Sequence, residues 1–260
     1  MHTIQEDFKS NLTSALTRLE LGTGRVELNN GLRLIVESTR SGAYSDAQIF
    51  DYAQMKRTAF PNRPPLRMVV RAWASHDADQ LVGTAGFGFW NQPYMPGTMS
   101  FRLPRAAWFF FGSRPSNMAF ARDVPGFGWK AATLDMSRLP FLLLAPTAPL
   151  GFLLMRIPAL YRAVWPLAER AIGASETLVE SPLTEPHTYR LDWLTDGVHF
   201  YVDDRLLLRS PYSPKGPLGF VAWLDNQFAV VTPQGNIQMG LIPVQQQQWL
   251  ALDSLVIEAL

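Results

Sequence analysis

The sequence predicts an all-β protein, a sandwich of two antiparallel sheets with one helical, apolar insert around residues 138–173. Short runs of alternating apolar and polar residues recur along most of the chain, and clusters of Gly, Pro, Asn, Asp and Ser separate them. A single long apolar passage interrupts this series. Because 260 residues with 47% apolar side chains can bury a substantial core, we expect one domain over residues 1–260.

The first two strands are expected to form a hairpin. Asn30 and Gly31 stand between two alternating runs within Arg25–Glu37, and this dipeptide is a strong hairpin signal because both residues readily adopt positive φ. Further strands are predicted at 44–52, 66–74, 83–90, 98–103, 106–113, 129–135, 188–193, 198–202, 205–209, 218–224 and 249–258.

The insert at residues 138–173 has a different pattern from the rest of the chain. A proline-rich apolar passage leads into a helical stripe between Ile157 and Ile172, which Pro166 is expected to kink. Three roles are open: a cap buried against the sandwich, a lid over a groove, or a contact with a membrane surface. The last is considered because Tyr161 and Trp165 lie near several arginines.

Composition excludes several classes of function. With 23 Lys and Arg against 22 Asp and Glu, the chain has no strong positive field, so nucleic acid is not an expected partner. There is no cysteine, and the four histidines lack metal-ligand spacing, so neither a metal nor a cofactor is expected. The N-terminal residues do not have the pattern of a secretory signal, and we therefore expect a cytoplasmic location.

The segment from His187 to Asp204 resembles a late strand pair of the family 16 glycoside hydrolases and the related concanavalin A-like lectins and glucanases. Further landmarks follow in the family's order: Asp7-Phe8, the hairpin from Gly24, the strand Gly86 to Trp90, and the closing strand Leu252 to Glu258. The resemblance covers most of the chain outside residues 138–180. It implies a concanavalin A-like jelly-roll sandwich, in which one curved sheet forms a cleft for an extended ligand.

The family's catalytic motif has no counterpart in this sequence. In the family, a strand reading Glu-x-Asp-x-x-Glu presents carboxylates to the cleft as nucleophile and as acid and base. The corresponding strand here, Ala106 to Ser113, carries none, and the only acids between Asp79 and Glu169 are Asp123 and Asp135. The resemblance is therefore to a divergent member, for which hydrolysis of the family type is not expected.

Aromatic residues replace the missing carboxylates. By alternation, Trp108 and Phe110 share one face of the strand while Phe109 and Phe111 share the other, so one pair is expected to face the cleft. Filling the core is the alternative for each ring. The predicted ligand-binding residues are Trp90, Asn91, Tyr94, Trp108, Phe110, Trp129, Trp223 and Asn226.

Asp225 is the candidate catalytic residue. A carboxyl group set among aromatic rings has its pKa raised by desolvation, and it can then act as an acid or a base. Asp225 and Asn226 also form a common turn dipeptide, so a solvated turn residue is the alternative interpretation.

Three functions follow from these observations. Non-hydrolytic binding of an apolar or aromatic small molecule in an aromatic cleft leads, because the catalytic motif is missing while an aromatic floor and an apolar insert are present. The alternative is an isomerase- or cyclase-type enzyme in which Asp225 acts on a hydrophobic substrate. A second alternative is lectin-like binding of a glycan, which stacked Trp rings and nearby amides would support.

Overall fold

The computed structural model describes residues 3–9, 11–93 and 102–260. These residues form seventeen strands: β1 (Ile4–Glu6), β2 (Thr17–Leu21), β3 (Gly24–Leu28), β4 (Leu32–Val36), β5 (Asp46–Phe50), β6 (Leu66–Ala74), β7 (Thr84–Trp90), β8 (Arg105–Gly112), β9 (Gly128–Asp135), β10 (Ser175–Leu178), β11 (His187–Trp193), β12 (Val198–Val202), β13 (Arg205–Ser210), β14 (Gly219–Asp225), β15 (Gln227–Val231), β16 (Ile237–Leu241) and β17 (Gln248–Ala259). Three helices lie between β9 and β10: α1 (Leu139–Leu144), α2 (Ala148–Leu154) and α3 (Pro158–Ala171). Short 3-10 turns occur at Arg57–Ala59 and Ala145–Thr147.

Two large antiparallel sheets make up the sandwich. The eight-stranded sheet has the order β13-β12-β11-β6-β17-β4-β3, with β1 paired to β17. The seven-stranded sheet has the order β10-β9-β8-β7-β14-β5-β2, and β15 and β16 form a separate hairpin. The jelly-roll sandwich predicted from the sequence, with its helical insert, is confirmed.

Alternation along the strands builds the core between the sheets. In β6, Leu66, Met68 and Val70 point inward and are buried, while Arg67 is only partly buried and Arg71 is exposed. The strands of the seven-stranded sheet contribute aromatic rings to the same core. Each strand therefore has a second, outward face, and on the seven-stranded sheet that face holds the candidate site.

Most predicted strands are found close to their expected positions. The hairpin is confirmed: Leu28 pairs with Leu32, and Asn30 adopts a φ of 51° in the connection. Strands β1, β2, β10, β15 and β16 are not predicted from the sequence, because they are short or carry no clear apolar alternation. The strand predicted at 98–103 lies mostly outside the described residues, and its last two residues are not in a strand.

The insert is more helical than expected, and its prolines explain where each helix begins. Pro140, Pro149 and Pro158 lie in the first turns of α1, α2 and α3. The missing N–H of a proline is tolerated there because a first-turn N–H has no partner within the helix. Pro166 lies inside α3, which nonetheless continues to Ala171. No helix in the described residues has the length and apolar character needed to cross a membrane.

Candidate functional site

The two faces of β8 carry different aromatic residues, as alternation requires. Phe109 and Phe111 point between the sheets and are completely buried in the core. Trp108 and Phe110 lie on the opposite side, here called the outer face of the seven-stranded sheet. On the outer face, β8 therefore presents aromatic rings where the family 16 glycoside hydrolases, which this sequence resembles, carry their carboxylates.

Neighbouring strands complete an aromatic cluster on the outer face. We define this cluster by the six rings of Tyr52, Phe60, Trp90, Trp108, Phe110 and Trp223. The rings of Trp108 and Trp223 are 5.5 Å apart between centroids, and Trp90 lies parallel to Trp223 at 6.5 Å. Trp90 donates its indole N–H to the Tyr52 hydroxyl at 2.8 Å. Trp223 and Phe110 are each 8% exposed, whereas Trp90 and Trp108 are only partly buried and present the accessible surface.

Glycines make room for these rings. Along β7 the sequence alternates Gly86, Phe87, Gly88 and Phe89, with both phenylalanines in the core and both glycines on the outer face. A Cβ atom at Gly86 would come within 2.9 Å of the Trp223 ring, and one at Gly88 within 2.6 Å of Trp108 Cβ. The Trp223 ring therefore lies directly on the backbone at Gly86, and Gly88 lets β7 approach the backbone of β8 closely at Trp108.

Two carboxyl groups lie at one end of the outer face. Asp225, the last residue of β14, pairs across the sheet with Asp46 of β5 and on its other side with Thr84 of β7. Such cross-strand pairs have Cβ atoms about 5 Å apart. The Asp225 Oδ1 atom accepts hydrogen bonds from the Thr84 hydroxyl at 2.8 Å and from the Gln227 amide at 3.0 Å. The Thr84 hydroxyl in turn accepts the indole N–H of Trp223 at 2.9 Å, which links the carboxyl to the aromatic cluster.

Burial raises the pKa of both carboxyls. The pKa of Asp225 rises to about 6, because desolvation outweighs the hydrogen bonds from Gln227 and Thr84. For Asp46, desolvation is again the main cause of a raised pKa, and the negative charge of Asp225 adds to it. Asp225 is thus a buried strand residue, and its interpretation as a solvated turn residue is wrong. Asp46 is not among the predicted site residues, although alternation along the strand predicted at 44–52 puts it on the same face as Gln48.

Other residues predicted for the site lie elsewhere. Trp129 pairs with Phe111 and shares its inward face, so it belongs to the core, and its prediction as a ligand-binding residue is wrong. Asn226 is completely buried, and its amide binds the backbone at Ser45 and Ile242. It therefore connects loops and has no surface for a ligand. Tyr94 lies outside the described residues.

Asn91 is also buried, but it borders a cavity at the same end of the sheet as Trp90. Its side-chain carbonyl accepts the amide of Arg105 at 2.9 Å, and its NH2 group donates to the Leu103 carbonyl at 2.9 Å. The cavity measures about 550 Å3, and Asn91 is one of its lining residues.

The insert lies beside the aromatic cluster rather than over it. Ile172 and Trp165 pack with Leu134 of β9, and Trp165 donates its indole N–H to the Phe120 carbonyl at 2.9 Å. Among the described residues, no insert side chain belongs to the aromatic cluster. This arrangement is that of a cap on β9. Several leucines of α1 and α2 remain exposed, including Leu143 at 70%, and membrane contact through them stays a prediction.

A buried ion pair, which the sequence pattern does not predict, links β9 to β10 next to the insert. Lys130 and Glu176 lie on neighbouring strands at 2.8 Å, and both side chains are almost completely buried. Lys130 also donates to the carbonyls of Met118 and Pro125, while Glu176 accepts the amide of Phe120. Because these contacts satisfy both charged groups, the pair anchors the loop between β8 and β9 and is not placed to act on a ligand.

No protein-family model matches the chain, and no curated protein matches it. Similar solved structures do exist. An endo-β-galactosidase from Clostridium perfringens that releases GlcNAcα1-4Gal has a TM-score of 0.54 at 12% identity, covering 98% of this chain and 61% of that one. This chain therefore spans less than two thirds of that structure.

Two further structures match over nearly the full length of both chains. A β-1,3-1,4-glucanase (lichenase) derived from a mouse hindgut metagenome has a TM-score of 0.54 at 10% identity, with 100% of each chain covered. A protein of Mycobacterium tuberculosis described as an immunostimulatory antigen and pseudo β-1,3-glucanase has a TM-score of 0.50 at 8% identity, with 99% and 98% covered. At these identities the similarity shows the fold alone: the chain has the jelly roll of these proteins.

Proposed function

We propose that the chain binds an apolar or aromatic small molecule on the outer face of the seven-stranded sheet and does not cleave glycans. The observation that carries this proposal is the aromatic cluster. Its two partly exposed rings, Trp90 and Trp108, pack against each other and against the ring of Trp223, so they form a firm apolar surface.

The energetics of such a surface are sufficient for binding. A flat apolar ligand that covers about 300 Å2 would gain about 7 kcal/mol from burial, before the cost of association is subtracted. The supporting rings are already packed, so few side chains must be ordered when the ligand arrives. No charged partner is required for this part of the interaction.

The acidic residues of the outer face favour binding over hydrolysis. Glycoside hydrolysis needs two carboxyl groups that flank the scissile bond and reach the substrate. Asp225 and Asp46 are 5% and 1% exposed, and both have hydrogen-bond partners within the protein. The outer face of β8 itself carries only Ala106, Trp108 and Phe110 between its end residues.

Replacement of Trp108 by Ala tests the proposal. We expect the uncharged fluorescent probe Nile red to bind the wild-type chain, and to bind Trp108→Ala at least about fivefold more weakly, because roughly 1 kcal/mol or more of apolar contact is lost. Fluorescence titration measures both dissociation constants, and thermal unfolding of each variant verifies that it is folded.

Trp73→Ala is the matched control. Trp73 is partly buried on the eight-stranded sheet, where it packs edge to face against Trp249 and far from the aromatic cluster. The control variant should bind Nile red like the wild type. Equal weakening in both variants, or unchanged binding in Trp108→Ala, would contradict the proposal.

Glycan binding is the second candidate, and the comparisons favour it. Proteins with this fold include an endo-β-galactosidase and a lichenase, and sugar rings stack on exposed Trp side chains. Retardation of the chain in gels that contain β-1,3-1,4-glucan, lost in Trp108→Ala, would support this candidate. An isomerase- or cyclase-type reaction with Asp225 has less support, because that carboxyl is buried beneath its partners.

A further inference from the structure

A basic cavity lies at the end of the seven-stranded sheet opposite to Asp46 and Asp225. It measures about 550 Å3 and is lined by Arg57, Thr58, Asn91, Arg102, Leu103, Arg105, Ser137, Lys215 and Pro217. Arg105 begins β8 and Asn91 follows Trp90, so the cavity lies at the same end of the sheet as Trp90, although no ring of the aromatic cluster lines it. Six residue steps along β7, from Thr84 to Trp90, separate the two ends of the face, which corresponds to about 20 Å.

The charges in this cavity are all of one sign. Four of its lining residues are cationic, and no lining residue among those described is acidic. In the described part of the chain, no carboxylate lies within 4.0 Å of the charged groups of Arg102, Arg105 or Lys215. The cations are close enough to repel one another. Burial lowers the pKa of the Arg57 guanidinium, and the positive charge of Arg102 lowers it further.

The nearest carboxylate is already occupied. Asp135 lies close enough to stabilise the charge of Arg105. However, its Oδ1 atom accepts the hydroxyl of Ser137 at 2.6 Å, and its Oδ2 atom accepts the backbone amide of Lys215 at 2.8 Å. These bonds tie Asp135 to the loop, and within the described residues it forms no ion pair with Arg102, Arg105 or Lys215.

Arg105 is held in position by the protein backbone. Its Nη1 atom donates to the carbonyl of Lys215 and, at 3.5 Å, to that of Gly216. Among the described residues, these are the only hydrogen-bond partners of its guanidinium. Nε and Nη2 therefore remain as donors, and a guanidinium fixed in this way is suited to bind an oxyanion through two parallel N–H bonds.

We infer that this cavity binds a phosphate or sulfate group carried by the ligand, whose apolar part lies on Trp90 and Trp108. The surplus of positive charge favours a strongly charged oxyanion over a carboxylate. The location of the apolar part rests on the proposed function, whereas the anion site stands on the cavity alone. The ligand class is thus an amphiphile with a flat or extended apolar portion and one phosphate or sulfate end.

The first experiment titrates the 260-residue chain with inorganic phosphate at constant ionic strength in a calorimeter. Arg102→Gln combined with Lys215→Gln should weaken phosphate binding by about tenfold or more, since two charge-assisted contacts are lost. The matched control, Arg25→Gln with Arg209→Gln, removes the same net charge from exposed positions on the eight-stranded sheet. Equal weakening in both pairs, absence of phosphate binding, or equally tight binding of acetate would overturn the inference.

The second experiment separates the anion site from the proposed function. The anionic probe 8-anilinonaphthalene-1-sulfonate is compared with uncharged Nile red. The Arg102→Gln and Lys215→Gln pair should weaken the sulfonate probe about fivefold or more and leave Nile red unchanged, whereas Trp108→Ala should weaken both. If phosphate binds but neither probe does, the proposed function fails and the anion site stands. If the pair leaves the sulfonate probe unaffected, the link between the two sites is wrong.

Discussion

At the scale of single residues, Asp225 shows how position changes the chemistry of a side chain. Its neighbours in sequence predict a turn, but its neighbours across the sheet, Asp46 and Thr84, make it part of a buried acidic row. Because the pKa of Asp225 is about 6 in the folded chain and its ordinary value is 3.8, the folded state holds its proton more tightly than the unfolded state. Its contribution to stability is therefore greatest below about pH 4 and is lost as the pH rises to about 6.

We expect Asp225→Asn to remove this pH dependence. The shift corresponds to at most about 3 kcal/mol between pH 4 and pH 7, and the Asn side chain cannot ionise. Urea unfolding at several pH values measures the effect as a smaller loss of unfolding free energy across this range. Asp196→Asn, at an exposed position in the turn between β11 and β12, is the control and should keep the wild-type profile. The same slope in Asp225→Asn and wild type would show that this carboxyl does not titrate as described.

At this scale the sequence predicts which face of a strand a residue lies on, but not which strands are neighbours. Alternation alone separates Trp108 from Phe109 correctly, because a strand leaves only two choices. Alternation cannot say which strand lies next to which. The sequence therefore predicts Trp129 as a site residue, since its pairing with Phe111 becomes visible only in the sheet. The basic cavity was missed for the same reason: Arg105 and Lys215 meet across 110 residues of sequence.

At the scale of elements, β7 works as a unit with the strands beside it. At Gly86 the ring of Trp223 rests on its backbone, at Gly88 its backbone approaches Trp108 of β8 closely, and its two phenylalanines fill the core from the other side. A strand usually loses stability through glycine. In β7 the cost is offset at Gly86, because the Trp223 ring that covers this glycine supplies the missing packing.

Substitution of Gly88 tests this interlocking. A Cβ atom there would lie 2.5 Å from the carbonyl oxygen of Ala107 and 2.6 Å from Trp108 Cβ, so Gly88→Ala forces β7 and β8 apart. We expect the free energy of unfolding to fall by about 2 kcal/mol or more. Gly151→Ala in α2, where a Cβ atom meets nothing within 4 Å, should be neutral or slightly stabilising. Similar unfolding curves for the two variants would contradict the described packing of the aromatic cluster.

At the scale of the whole molecule, the fold was predictable and the site only in part. The order of weak landmarks, from Asp7-Phe8 to the closing strand, was enough to predict the jelly roll. The sequence alone shows that Ala106–Ser113 carries no carboxylate, because the composition of a strand can be read without knowing its contacts. The position of the insert was not predictable, since the stripe on α3 specifies an apolar face without specifying which surface it covers.

The aromatic centre of the outer face has a direct consequence in solution. We expect no release of reducing ends from β-1,3-1,4-glucan, laminarin or galactan above a buffer control, because the accessible centre of the outer face is aromatic. A reducing-sugar assay over several hours measures this. Hydrolysis that disappears in Asp225→Asn or Asp46→Asn would mean that these buried carboxyls become accessible to substrate.

The close approach of three indoles has a consequence for spectroscopy. Trp90, Trp108 and Trp223 lie within 6.5 Å of one another between ring centroids, near enough for their electronic transitions to couple. Coupled chromophores in a fixed chiral arrangement give paired circular-dichroism bands of opposite sign, and excitation passes readily between them. A molecule that settles on Trp90 and Trp108 perturbs this shared excited state, so the protein carries an intrinsic optical reporter at the surface where its ligand is proposed to bind.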